Sequence, residues 1–185
     1  MFKNKALWIT LAIIVVLLFA GYSWVKGTYN TMVTQDEGVK TAWSQVENQY
    51  QRRMDLIPNL VNTVKGYATH EKETLEKVVS ARSLAMNAHS MDEKIAQEQN
   101  LSGLLGRLMA ISESYPDLKA NTNFIDLQRQ LKDMEGEIAN ARKYYNGVVK
   151  AFNTRTETIP SNLIAMICGF KKMPLFVVKD EAQRE

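Results

Sequence analysis

Between Ala6 and Val25 the chain reads ALWITLAIIVVLLFAGYSWV, twenty residues without a charge. At the helical rise this run extends about 30 Å, the thickness of a bilayer's hydrocarbon core. Eleven of its positions are Leu, Ile, Val or Phe, and insertion as a helix is favoured by roughly 3–6 kcal/mol. Trp8 stands near one end and Tyr22 and Trp24 near the other, where aromatic rings prefer the headgroup level. These three are the expected membrane-interface anchors. The rival reading is a cleaved signal peptide with MFKNK as its basic start. It lacks an A-x-A site, because Leu18 stands two residues before Ala20 and Gly21-Tyr22-Ser23 is a poor substitute, and the apolar run is longer than a signal peptide needs. A retained, single-pass anchor is the expectation, with the lipid bilayer as first partner.

Lys3, Lys5 and the amino terminus precede the span, whereas Lys26 and Lys40 follow it with Asp36 and Glu37 between. The positive-inside rule therefore favours a cytoplasmic N-terminus in a bacterial inner membrane and a domain on the extracytoplasmic side. With five residues expected beyond the span, action is confined to one side or to lateral contacts. The formal net charge of +3 resides in Lys3, Lys5 and Lys26, leaving twenty basic against twenty acidic side chains. Such a balance offers no basic face for nucleic acid. The single cysteine, Cys168, excludes an intrachain disulfide and a thiolate metal cage.

Beyond the span the apolar residues recur at alternating intervals of four and three, the pattern of packed helices. One seam runs Val39, Trp43, Val46, Tyr50, Ile57, Leu60, Val64, Tyr67, with Arg53 at the position due between Tyr50 and Ile57. A second is Leu75, Val78, Arg82, Ala85, and a third Leu101, Leu104, Leu108, Ile111, Tyr115. The fourth runs Phe124, Leu127, Leu131, Met134, Ile138, Ala141, Tyr145, Val148, Phe152. Breaks fall at Gly66–His70, Asn87–Asp92 and Tyr115-Pro116-Asp117. Pro160 opens a short amphipathic segment, Ser161–Cys168, with Gly169 as its C-cap. The apolar strip Phe170–Phe176 can fold back, touch the membrane or meet another subunit, and Leu175–Val178 can be a strand or an extended tail. The predicted fold is all-α: a transmembrane helix (1–26), an antiparallel bundle of about four long helices (27–159) entered without a strong break from the anchor, and a short helix and tail (160–185).

The stretch YQRRMDLIPNL, Tyr50–Leu60, interrupts the first seam with charge and proline. Arg53 on the seam lays its stem along the core while its guanidinium seeks an acid. Glu113 and Glu135 are the acids expected to meet Arg53 and Arg82, with Arg142 two turns beyond Glu135 on the same face. Pro58 removes a backbone bond to Met54 and should bend the helix, with Asn59 satisfying a freed group. Charged seam residues set register and partner choice; Arg53, Arg82, Glu113, Glu135 and Arg142 are accordingly read as a structural polar network.

Candidate chemistry elsewhere is thin. His70-Glu71 lacks a second histidine, because Thr74 occupies that position, and His89 is distant. Gly103 and Gly106 lack the lysine of a phosphate loop, and no strand-turn-helix elbow presents a serine. Cys168 reads as a buried small residue and Tyr144-Tyr145 as core. No cofactor or catalytic residue is expected.

Several dense motifs nevertheless occur in order: Trp43, then Arg52-Arg53-x-Asp55-Leu56-Ile57-Pro58-Asn59-Leu60-Val61, His70-Glu71 and Ala81-Arg82. They are followed by Glu113-x-Tyr115-Pro116-Asp117-Leu118-Lys119-Ala120 and Glu135-x-x-Ile138-Ala139-x-Ala141-Arg142-x-x-Tyr145-Asn146. In these the chain resembles the LemA family, from the anchor to about Phe176. The resemblance implies a bacterial single-pass membrane protein with a long-helix bundle and no established activity; topologies proposed for the family include an external N-terminus. The expected function is a self-associating envelope scaffold. The alternative is a binding module that docks a membrane protease, a transporter or an external ligand, and an enzyme is disfavoured for want of an acid, base and nucleophile together.

Overall fold

The computed structural model describes residues 2–68 and 70–176, with side chains from Leu7 onward. Among these residues there are six helices and no strand: α1 (Phe2–Lys65), α2 (Lys72–Met86), α3 (Met91–Ser112), α4 (Pro116–Lys119), α5 (Thr122–Glu157) and α6 (Ser161–Cys168). The expected continuation from anchor to bundle is present, since α1 is uninterrupted through Gly27, Gly38 and Pro58. Contacts divide the chain into two compact units. One joins α1 up to Thr41 with Gly147–Leu175; the other comprises Ala42–Asn146 with Phe176.

In the second unit, cross-helix pairs reveal the directions. Tyr50 meets Arg142, Arg52 meets Glu137 and Tyr67 meets Asn121, so α5 descends as α1 ascends. Glu47 pairs with Lys94 and Arg53 with Glu98, so α3 runs parallel to α1. A connection of only four residues between α2 and α3 returns α2 antiparallel to both. The result is an up-down-up-down four-helix bundle. Its core follows the first seam from Trp43 to Val64 and includes Leu75, Val78, Leu101, Leu108, Leu131 and Ile138. Each such side chain contributes about 1.5–3 kcal/mol by leaving water.

Local chemistry sets the helix ends. Ser90 caps α3 in a reciprocal box: its hydroxyl accepts from the Glu93 N–H at 3.2 Å, and the Glu93 carboxylate accepts from the Ser90 N–H at 3.2 Å. Pro116 begins α4, and the Asn121 side chain accepts the Phe124 N–H at 3.0 Å to start α5. Gly169, at φ 79°, terminates α6 in the left-handed conformation that favours glycine.

All four seams shift from their sequence reading, and on α2 Ala81 is buried in place of Arg82. On α3 the buried residues are Glu98, Leu101, Leu105, Leu108 and Ser112, one residue out of phase with Leu104 and Ile111 over part of its length. On α5 Val149 is buried instead of Val148. Tyr67 is exposed, and its hydroxyl accepts from Asn121 at 2.9 Å; Ala68 fills the core position.

In the first unit, the apolar stretch of α1 is wholly exposed and long enough to cross a membrane. Farther along α1, Met32 packs against Ile164 and Ala165 of α6, with Phe170 against the same cluster. Tyr29 and Phe152 both approach the Phe170 ring, with centroids at 6.0 and 6.2 Å. Asn153 holds the returning chain by both amide atoms: it donates to the Met173 carbonyl at 2.8 Å and accepts the Met173 N–H at 2.9 Å. Cys168 is exposed rather than buried: it shares the face of Ile164 and Ala165 but is the last residue of α6, and no described residue covers it there.

Leu175 has no regular secondary structure and Phe176 returns to the bundle. Val177 and Val178, the other half of the possible strand, lie outside the described residues.

Candidate functional site: a buried charge network

Arg53 sits on the seam of α1 because the four-three rhythm passes through it, and the fold leaves it 2% exposed. Its Nη2 donates to the Glu98 carboxylate, and Glu98 is wholly buried on α3. Arg53 Nε and Glu98 Oε1 have no partner among the described residues. Burial raises the Glu98 carboxyl above the ordinary carboxylate range, while the guanidinium of Arg53 opposes the rise. A cavity of about 320 Å³ lies beside this pair, lined by Glu98, Tyr50, Met54 and the Glu47–Lys94 ion pair.

Arg142 on α5 approaches from the other side of Tyr50. Its Nε donates to the Tyr50 hydroxyl at 3.0 Å, and its guanidinium carbon lies 5.3 Å from the Tyr50 ring centre and 5.2 Å from that of Phe176. Burial pushes the Tyr50 phenol up and the Arg142 charge pulls it back. Phe176 in turn stacks on Trp43 at 6.0 Å and meets Tyr145 edge-on at 5.3 Å. Asn146 fixes it, donating to the Phe176 carbonyl at 3.0 Å and accepting its N–H at 2.9 Å. Tyr145 is fully buried, and burial pushes its phenol up to about 12, whereas its neighbour Tyr144 is exposed.

Arg82 does a different job. Pro58 has no N–H to give the Met54 carbonyl, and Arg82 Nε donates to that carbonyl at 2.8 Å from α2. The expected local partner, Asn59, is exposed. Neither acid assigned from sequence reaches the arginines. Glu113 pairs with Lys119 at the surface, and Glu135 is exposed on the outer face of α5. Glu98 was missed because neighbouring Leu104 and Leu105 allow two phases for α3; counting back three from Leu101 reaches it. Among the described residues no group of three His, Cys, Asp or Glu side chains could hold a metal. Glu71 accepts the Tyr115 hydroxyl at 3.2 Å, a use that needs no histidine partner. Trp8, Tyr22 and Trp24 are all exposed, and Trp24 lines a cavity with Thr28, Thr154, Thr158 and Pro160.

The class defined by these features is an all-α protein with one exposed, span-length apolar helix and a four-helix bundle whose buried charges face each other. The model of the LemA family matches residues 42–185. This chain belongs to the LemA family. It is 28% identical to magnetosome protein MamQ 2 of Paramagnetospirillum magneticum over 82% of its length, and spans only 65% of that relative. To magnetosome protein MamQ of Magnetospirillum gryphiswaldense it is 28% identical, over 90% of this chain and 71% of the other. To Protein LemA of Metamycoplasma hominis it is 24% identical, over 81% of this chain and 69% of the other.

Proposed function

We propose that this chain is a membrane-anchored, non-catalytic scaffold that self-associates in a bacterial inner membrane, with its bundle on the extracytoplasmic side. The observation that carries this reading is the internal use of the arginines on and beside the helix seams. Arg53 is spent on Glu98, Arg82 on the Met54 carbonyl and Arg142 on Tyr50. Charges paired within a core specify register and assembly rather than bond-making. Among the described residues no acid, base and nucleophile are positioned together as a reaction needs. Arg53, Arg82 and Arg142 form the structural network in this proposal, with Glu98 as its acid, and Pro58 creates the backbone acceptor that ties α2 to α1. Trp8, Tyr22 and Trp24 anchor the span at the headgroups. Relatives named for the magnetosome, a structure and not a reaction, support an assembly role.

A second reading, a module docking a lateral membrane protein, is favoured by one feature. A groove of about 630 Å³ opens beside the end of α1 and the start of α2, lined by Val61, Leu75 and Val79 with Lys65 and Lys72 at its rim. Size analysis of the detergent-purified full chain separates the two. A concentration-dependent oligomer is expected, and a monomer at high concentration leaves the docking module standing.

A further inference from the structure

From Thr158 to Phe170 the chain carries no charge, and α6 within it is apolar almost all the way round. A helix of that kind is normally buried on every side. Here Ile164 and Ala165 are covered by Met32, whereas Ile159, Leu163, Met166 and Ile167 are 84%, 53%, 73% and 80% exposed. Leu163, Met166 and Ile167 occupy the arc of α6 opposite Ile164 and Ala165. Nothing among the described residues covers them.

The position of α6 indicates what does. Met32, its anchor on α1, follows the last residue of the apolar span by seven residues, about 10 Å of helix. The turn entering α6 is closer still, because Thr158 and Pro160 line one cavity with Trp24, itself at the expected headgroup level. The lipid-facing surface of α1 also continues past Val25 through exposed Tyr29 and Val33 towards this patch. Lys171 and Lys172 follow immediately, and Lys172 pairs with Glu157 at 2.7 Å, leaving Lys171 exposed beside the apolar face.

We propose that Ile159, Leu163, Met166 and Ile167 insert into the bilayer boundary beside α1, making α6 a second, interfacial membrane contact with Lys171 at the lipid phosphates. An apolar face flanked by lysine, seated where a span leaves the hydrocarbon, fits a lipid surface. The inference rests on reading α1 as the anchor.

The test uses the full chain reconstituted in phosphatidylcholine vesicles containing a quarter phosphatidylglycerol. In a Cys168→Ser background, spin labels at Ile167→Cys, Leu17→Cys and Gln128→Cys report the α6 face, the span and a water-exposed bundle position. Power saturation with oxygen and a nickel chelate should give Ile167 an oxygen preference between those of Leu17 and Gln128, as an interfacial depth requires. A nickel preference at Ile167 equal to that at Gln128, with Leu17 still in lipid, overturns the interfacial contact alone. Dipolar broadening at Ile167 that grows with protein-to-lipid ratio overturns it in favour of a second copy. A nickel-accessible Leu17 removes the anchor reading and this inference with it.

Discussion

Arg53 and Glu98 are two charges withdrawn from water, and each is tolerable only because of the other. Glu98→Leu should destabilise the bundle by about 3–5 kcal/mol by leaving a buried guanidinium alone, and Arg53→Met in the same chain should recover most of that loss. Denaturant melts of the detergent-purified full chain measure both. The pH dependence has a definite sign. A carboxyl raised in the folded state contributes stability below its unfolded value, and that contribution is lost as pH climbs through the folded value. Above about pH 4 the parent should therefore lose stability relative to Glu98→Gln; the reverse slope means that Arg53 outweighs burial. Arg82→Ala should cost about 1–3 kcal/mol by stranding the Met54 carbonyl. In a Pro58→Ala background, where a helical N–H can serve that carbonyl, the same substitution should cost less, and additive losses count against the link. Arg53's place in the core was legible because it is defined by the rhythm of its own helix. Its partner was not, because pairing depends on the register between α1 and α3, which local periodicity does not encode. The carbonyl freed by Pro58 was legible too, but its donor lies 28 residues away on another helix.

Helix boundaries were readable wherever a residue type has one dominant use. Pro116, Pro160 and Gly169 fall where the reading placed them, and the α6 limits agree residue for residue with those expected from its flanks. The phase of α3 was not readable, since paired leucines satisfy either choice and the decision comes from neighbours. The extended strip after α6 was equally ambiguous by sequence, because apolar residues without a period fit core, membrane or subunit contact alike. Two asparagines on α5, Asn146 and Asn153, resolve it by matching backbone amide and carbonyl as a strand would. Asn146→Ala should leave the helices intact by circular dichroism yet speed amide exchange at Phe176 by on the order of tenfold or more, since about 1–3 kcal/mol of backbone satisfaction is lost. Unchanged exchange would show that ring packing alone retains the strip.

At the scale of the whole molecule, the exposed thiol of Cys168 provides a test of sidedness. With the bundle outside, a membrane-impermeant maleimide should label intact spheroplasts as fully as permeabilised ones; labelling only after permeabilisation places the bundle within. The all-α bundle and the span were apparent from periodicity and apolar length, but the division of α1 and α5 between two compact units was not, because a continuous helix shows no boundary in its own pattern. Phe176 has a consequence of a different kind. It is a plug supplied by a peptide with no helix of its own, seated between Trp43 and Tyr145 beneath Arg142. Trypsin-like cleavage after exposed Lys172 would spare every described helix and sever from α6 the segment that carries Phe176. A single nick could then unlatch the aromatic core while leaving the helical rods in place.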